Sequence, residues 1–194
     1  MAGQHSASTS PADAARAAWP ARAIDALSEA CGHVAALAAT ALVVLTAGLV
    51  LAFSLGVGSV RVQDLVLWLN AGMVMLGLGY ALKHRAHVRI DVFSSRWSAR
   101  TVARVEVLGI ALLLLPFCVA LAWLSLDYVA MSWRVGERSA SSGGLAGLYL
   151  AKTLLPVGAA LLALQGIAEV LRALPVAFGA HADDNAATAV EPTA

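Results

Sequence analysis

From Val34 to Val57 the chain reads "VAALAATALVVLTAGLVLAFSLGV", 24 residues without a single charge. A bilayer's hydrocarbon core is about 30 Å thick and needs roughly 20 apolar residues of helix to cross it. In lipid every backbone N–H and C=O must be satisfied within the protein, which leaves only helices and closed barrels. An unbroken apolar run without polar alternation selects the helix. Three further runs meet the same requirement, at about Leu65 to Leu82, Val105 to Val129 and Leu148 to Leu171. Pro116 and Pro156 fall inside the third and fourth, where a membrane helix tolerates them if neighbours re-satisfy the freed carbonyl. The four runs show no fixed repeat.

The expectation is therefore an all-α integral membrane protein with four transmembrane helices. They would form one membrane domain, residues 19–178, between disordered tails at residues 1–18 and 179–194 that are rich in Ala and small polar residues. With 60% hydrophobic and 13% charged residues, the chain carries about half the charge of a soluble domain. Its net charge of +1 gives no reason to expect a nucleic-acid partner. The first thirty residues hold no compact apolar core of the kind a cleaved signal peptide needs, so the N-terminus is expected to be retained. Just before the first run, Ile24, Leu27, Cys31 and Val34 recur at helical steps while Arg22, Asp25 and Glu29 take the other side. Two readings stay open: a short helix lying in the interface, or a plain extension of the first span.

Lys and Arg set the expected orientation. Lys83, Arg85, Arg89, Arg96, Arg100 and Arg104 crowd the linker between spans two and three, and Arg16, Arg22 and Arg172 fall on the same side, against Arg61, Arg134, Arg138 and Lys152 opposite. The positive-inside bias then places both termini and the linker in the cytoplasm. The "GSVR" turn and the Ala130–Gly147 loop lie outside, in the periplasm if the membrane is a bacterial inner membrane. Burying six such charges at mid-bilayer would cost about 15 to 20 kcal/mol at roughly 3 kcal/mol each, which pins the linker to the surface.

Redox chemistry finds little support in the residues. A haem needs axial ligands within the spans, but His5, His33, His84, His87 and His181 sit at span ends, in the linker or in the tails. Cys31 and Cys118 are far apart and form no metal or redox spacing. No cofactor and no catalytic residue is expected. A self-sufficient transporter should carry ionisable residues or broken helices near the midplane, whereas Asp64, Glu106, Asp127, Lys152 and Glu169 fall near span ends, where solvation or snorkelling is the default. Asn70 and Gln165 are more interior and read as interhelical hydrogen bonds worth about 0.6 to 2 kcal/mol. Gly72, Gly77, Gly79, Gly158 and Gly166 would permit close helix approach.

Topology explains the cations of "YALKHRAHVRIDVF" (Tyr80–Phe93) but not Asp91, nor the alternation of His87 and Arg89 with Val88 and Ile90. The residues "HVRID" (His87–Asp91), followed by "VFSSRWSART", resemble the cytoplasmic signature of small permease subunits of tripartite ATP-independent periplasmic (TRAP) transporters. "LLLLPFCVALAWLSLDYVAMSW" (Leu112–Trp133) and "GERSASSGGLAGLYLAKTLLPVGAALLALQGIAEVLR" (Gly136–Arg172) resemble the same family, so the likeness covers about Val34 to Arg172. Within it, "GVGSVRVQDLVLWLN" (Gly56–Asn70) is less bulky and aromatic than is usual for the family.

That resemblance implies a scaffold subunit. Its partners would be a large permease subunit that moves an organic solute with sodium, a periplasmic solute-binding protein that delivers the solute, and the lipid bilayer. It also implies a role for the signature. Arg89 and Asp91 would form a charge-assisted knot that fixes the turn out of span two and docks on the large subunit, with His87 a structural imidazole. The plainer reading is a solvated basic linker facing anionic headgroups. Downstream, Val92, Phe93, Trp97 and Val102 interleave with Arg96, Arg100 and Arg104, an amphipathic interfacial segment anchored by Trp97. On the other side, Arg134, Glu137, Arg138 and "SASSGG" form a charged rim, which would tune the on-rate of a docking partner. Two alternatives to the scaffold remain: a small membrane anchor for another periplasmic or redox complex, and an autonomous transporter.

Overall fold

The computed structural model describes residues 11–84 and 98–178, with backbone only for residues 11–20 and Ala99. Helix α1 spans Pro11–Ser54 and α2 spans Val60–Lys83. After the linker, α3 (Ala99–Gly109) passes through a five-residue π-helical turn, Ile110–Leu114, into α4 (Leu115–Val135), and α5 covers Leu148–Phe178. Among the described residues there is no strand, only an isolated bridge between Arg138 and Ala146. Four rods are long and apolar enough to cross a membrane, Ala21–Ser54, Val60–Lys83, Arg100–Val135 and Leu148–Phe178. They correspond one to one with the four apolar runs. The protein is an all-helical membrane protein.

Of the two readings for the start of the chain, the structure has the extension. The 44 residues of α1 would reach about 66 Å at 1.5 Å per residue, more than twice the hydrocarbon core. Residues 11–18, assigned to a tail from composition, are helical; residues 1–10 and 179–194 lie outside the described residues. Nothing between Arg22 and Val34 breaks the helix. Gly32, the one weak point, is where the Tyr80 ring of α2 lies against α1, in space that a Cβ would occupy.

The third rod widens by a π-helical turn just ahead of its proline. Pro116 has no N–H to give Leu112, and its ring crowds that carbonyl. The turn just before it widens instead, with Leu115 N–H bonding to Ile110 O, five residues back, so the chain passes the proline without breaking. Helix α3 opens on Ser98, whose hydroxyl accepts the Thr101 N–H at 3.2 Å, an N-cap. The described part of the amphipathic stretch is thus the start of this rod, and Arg104 Nε donates to Ala177 O at 3.0 Å near the end of α5.

The rods do not close into a four-cornered bundle. Helix α1 packs on α2, α2 on α5, and α5 on α3 and α4, with α1 also touching α5. The result is an open row with α5 at its centre. Small residues set the spacing. Gly79 of α2 lies where Ser28 of α1 and Leu161 of α5 converge, its virtual Cβ only 3.3 and 3.5 Å from them, and Gly158 of α5 faces Met75 of α2 at 2.8 to 3.0 Å. Such contacts let backbones approach and gain dispersion where lipid supplies no hydrophobic drive. Outside the row, α1 and α4 present broad apolar surface: Leu37 is 71% exposed and Trp123 74%.

Candidate functional site

The signature residues His87, Arg89 and Asp91, and the anchor Trp97, lie outside the described residues. Their neighbours Lys83 and His84 do not, and both face α1. Lys83 Nζ meets Glu29 Oε1 at 2.7 Å, and His84 Nε2 lies 2.9 Å from the same oxygen. The His84 ring also stacks on Tyr80, centroids 4.3 Å apart. The last turn of α2 is therefore tied to α1 before the chain enters the linker.

A second set of bonds joins the same level of α1 to α5. Gln165, fully buried, accepts from Ser28 Oγ at 2.7 Å and donates through Nε2 to Asp25 Oδ1 at 3.2 Å. Arg172 adds a charge-assisted bond to that Asp25 oxygen at 2.7 Å and approaches Glu169 at 3.7 Å. Together Asp25, Ser28 and Glu29 form one inward stripe on α1, bonded to α2 on one side and α5 on the other. A buried polar group must find partners or lose its solvation uncompensated, and here three helices supply them to one another. Asn70 is exposed on α2, and none of the described residues hydrogen-bonds its side chain.

The opposite end has its own knot, built from a helix cap. Gly136 ends α4 in the left-handed region, φ 57°, and Glu137 N–H bonds back to Ser132 O at 3.0 Å, the pattern of a glycine C-cap. This aims the Glu137 carboxylate at the Ser132 hydroxyl, which donates to it. Lys152, a turn into α5, snorkels up to Glu137 at 2.6 Å across the Tyr128 ring, 4.0 Å from its centroid. The Lys152 ammonium first and the Ser132 hydroxyl second hold the Glu137 carboxyl below its ordinary range. Trp133 Nε1 donates to Thr153 Oγ1 at 3.0 Å. The rest of the loop hangs on α2, where buried Asp64 accepts the Leu145 N–H at 2.8 Å and Arg61 Nε donates to Gly143 O at 3.3 Å. Arg61, Arg138, Ser139 and Ser141 line a polar hollow of about 390 Å³ there.

This arrangement clamps helices at both ends and leaves wide apolar flanks between. The family model of the DctQ component of tripartite ATP-independent periplasmic transporters matches residues 41–176, well over half of the chain. The chain belongs to the DctQ family. It is thus a small permease component of a TRAP transporter. No curated protein and no solved structure matches the chain. In this DctQ-family chain the matched region takes in α2 to α4, α5 up to Val176 and most of the apolar half of α1, while Asp25, Ser28 and Glu29 precede it.

Sequence reasoning placed Arg22, Asp25 and Glu29 together on a polar outer face, and missed that two of them point inward. A signal was present. Asp25 and Glu29 are one helical turn apart with Ser28 beside them, and the cations that meet them, Lys83 and Arg172, were already assigned to the same membrane side. Glu137 and Lys152 were noted separately; their pairing depends on a loop fold that no spacing rule specifies.

Proposed function

We propose that this DctQ-family chain is a static membrane scaffold. It would support a large permease subunit in the sodium-coupled uptake of an organic solute, delivered on the periplasmic side by a binding protein. The observation that carries the reading is the open row. Four rods pack through one central helix and keep their polar bonds at the two ends, so each remaining flank is apolar surface suited to a helical partner or lipid. The positive-inside rule supports termini in the cytoplasm of an inner membrane. That orientation puts the Asp25–Gln165–Arg172 knot on the cytoplasmic side and the Glu137–Lys152 loop on the periplasmic side.

In this scheme Arg89 and Asp91 fix the turn after Lys83 and contribute to docking, with His87 beside them. The polar hollow under Arg61 and Arg138 belongs to the rim that meets the binding protein. The test is a mild-detergent pull-down of the tagged chain from its native membrane. A multi-span permease recovered in about equal amount is the expected result. The chain alone, in a detergent shown to preserve the complex, would overturn the scaffold. Arg89→Ala and Asp91→Ala should each insert normally and recover less permease. Wild-type recovery and uptake in both would remove the docking role from the pair.

A further inference from the structure

Helix α4 packs on α5 through Cys118, Ser125, Val129 and Ser132, all buried. On a 3.6-residue helix the face opposite that stripe carries Trp123, Asp127 and Met131, and all three are exposed. No described residue bonds to or pairs with the Asp127 carboxylate. It lies eight residues before the end of α4 at Val135, about 12 Å of helix rise below the loop. Around it stand Trp123, Leu124, Tyr128 and Met131, each more than half exposed.

An aspartate in that position is ringed by large apolar side chains. Lys152, a turn into α5, has a four-carbon stem and uses it to climb to Glu137. Asp127 has one methylene, and side chains on a helix lean toward its N-terminus, which in α4 points away from the loop and into the bilayer. An ionisable group on a spanning helix generally faces protein or a water-filled cavity and has a partner. Among the described residues no such partner exists, because α5, the element α4 packs against, lies on the far side of the helix.

We infer that the Trp123–Asp127–Met131 face of α4 is covered in the assembled transporter by a helix of the large permease subunit that brings a lysine or arginine to Asp127. The inference rests on the scaffold reading and specifies which flank is used. Its chemistry is that of an interface core: large aromatic and thioether side chains around one desolvated ion pair. Bare lipid offers the apolar part of that environment without a fixed cation opposite the carboxylate.

The test uses the full chain expressed with its permease. Asp127→Ala should insert at the wild-type level but recover at least fivefold less permease, because the partner's cation loses its counter-ion; Asp127→Glu should restore at least half. A benzophenone amino acid at Leu124, in a chain that keeps Asp127, should cross-link to the permease. Wild-type recovery with Asp127→Ala would overturn the inference. So would a Leu124 probe that labels only lipid while the complex forms, and that probe still decides the matter if the Asp127 variants fail to insert. If the wild-type chain recovers no permease at all, the scaffold reading falls and takes this inference with it; failure of the Asp127 arms alone leaves the scaffold intact.

Discussion

Gln165 shows how much one side chain holds together. Its amide is fully buried and serves Ser28 and Asp25 at once, so Gln165→Leu, which keeps the volume, strands the Ser28 hydroxyl between helices and leaves Asp25 Oδ1 to Arg172 alone. We expect a loss of about 1 to 2 kcal/mol, read as a lower unfolding midpoint in detergent. Glu137 gives a prediction in pH. Its carboxyl is held below its ordinary range by Lys152 and Ser132. The stability it contributes is therefore full above the ordinary glutamate value and is lost as pH falls through its lower folded value. Melting temperature followed down through the acid range should fall more steeply for the native chain than for Glu137→Gln, and matching slopes would dissociate the loop from this pair. At this scale the sequence was only partly legible. Composition identified Gln165 as an interior polar residue, but its partners lie 137 and 140 positions away, and no local pattern encodes such a pairing. Asp127 reads as an ordinary span-end residue until the buried face of α4 is known.

At the scale of the element, the four rods were legible because lipid imposes a length and a polarity that any sequence must meet. Their ends were less so. Helix α1 begins well before its apolar run, since an interfacial helix and an extended one share the same periodicity up to Val34. In the extended helix Glu29 and Asp25 turn inward to meet Lys83 and Arg172. That Pro116 lies within its span was legible in the sequence, but the widened turn ahead of it was not. Helix contact gives the sharpest test here. A Cβ on Gly158 would meet the Cβ, sulfur and backbone oxygen of Met75 at 2.8 to 3.0 Å, and the backbone oxygen has little freedom to retreat. Gly158→Ala should cost about 1 to 3 kcal/mol by forcing α2 and α5 apart. Gly48→Ala, with nothing within 4 Å, should leave stability unchanged or slightly raised. Equal effects at the two sites would show that the α2–α5 spacing is not set by Gly158.

Across the whole molecule, the arrangement in which α5 is shared by all other rods has a consequence in time. The α1–α2 hairpin and the α3–α4 rod meet chiefly through α5, and α5 is the last of the four spans to leave the ribosome. Until Leu148 and the residues after it have entered the bilayer, the earlier segments form two separate pieces with some of their polar groups waiting. Asp25 has no Arg172, Ser28 no Gln165, and Glu137 no Lys152. The fold is therefore completed in one late event, when α5 joins the two pieces that precede it.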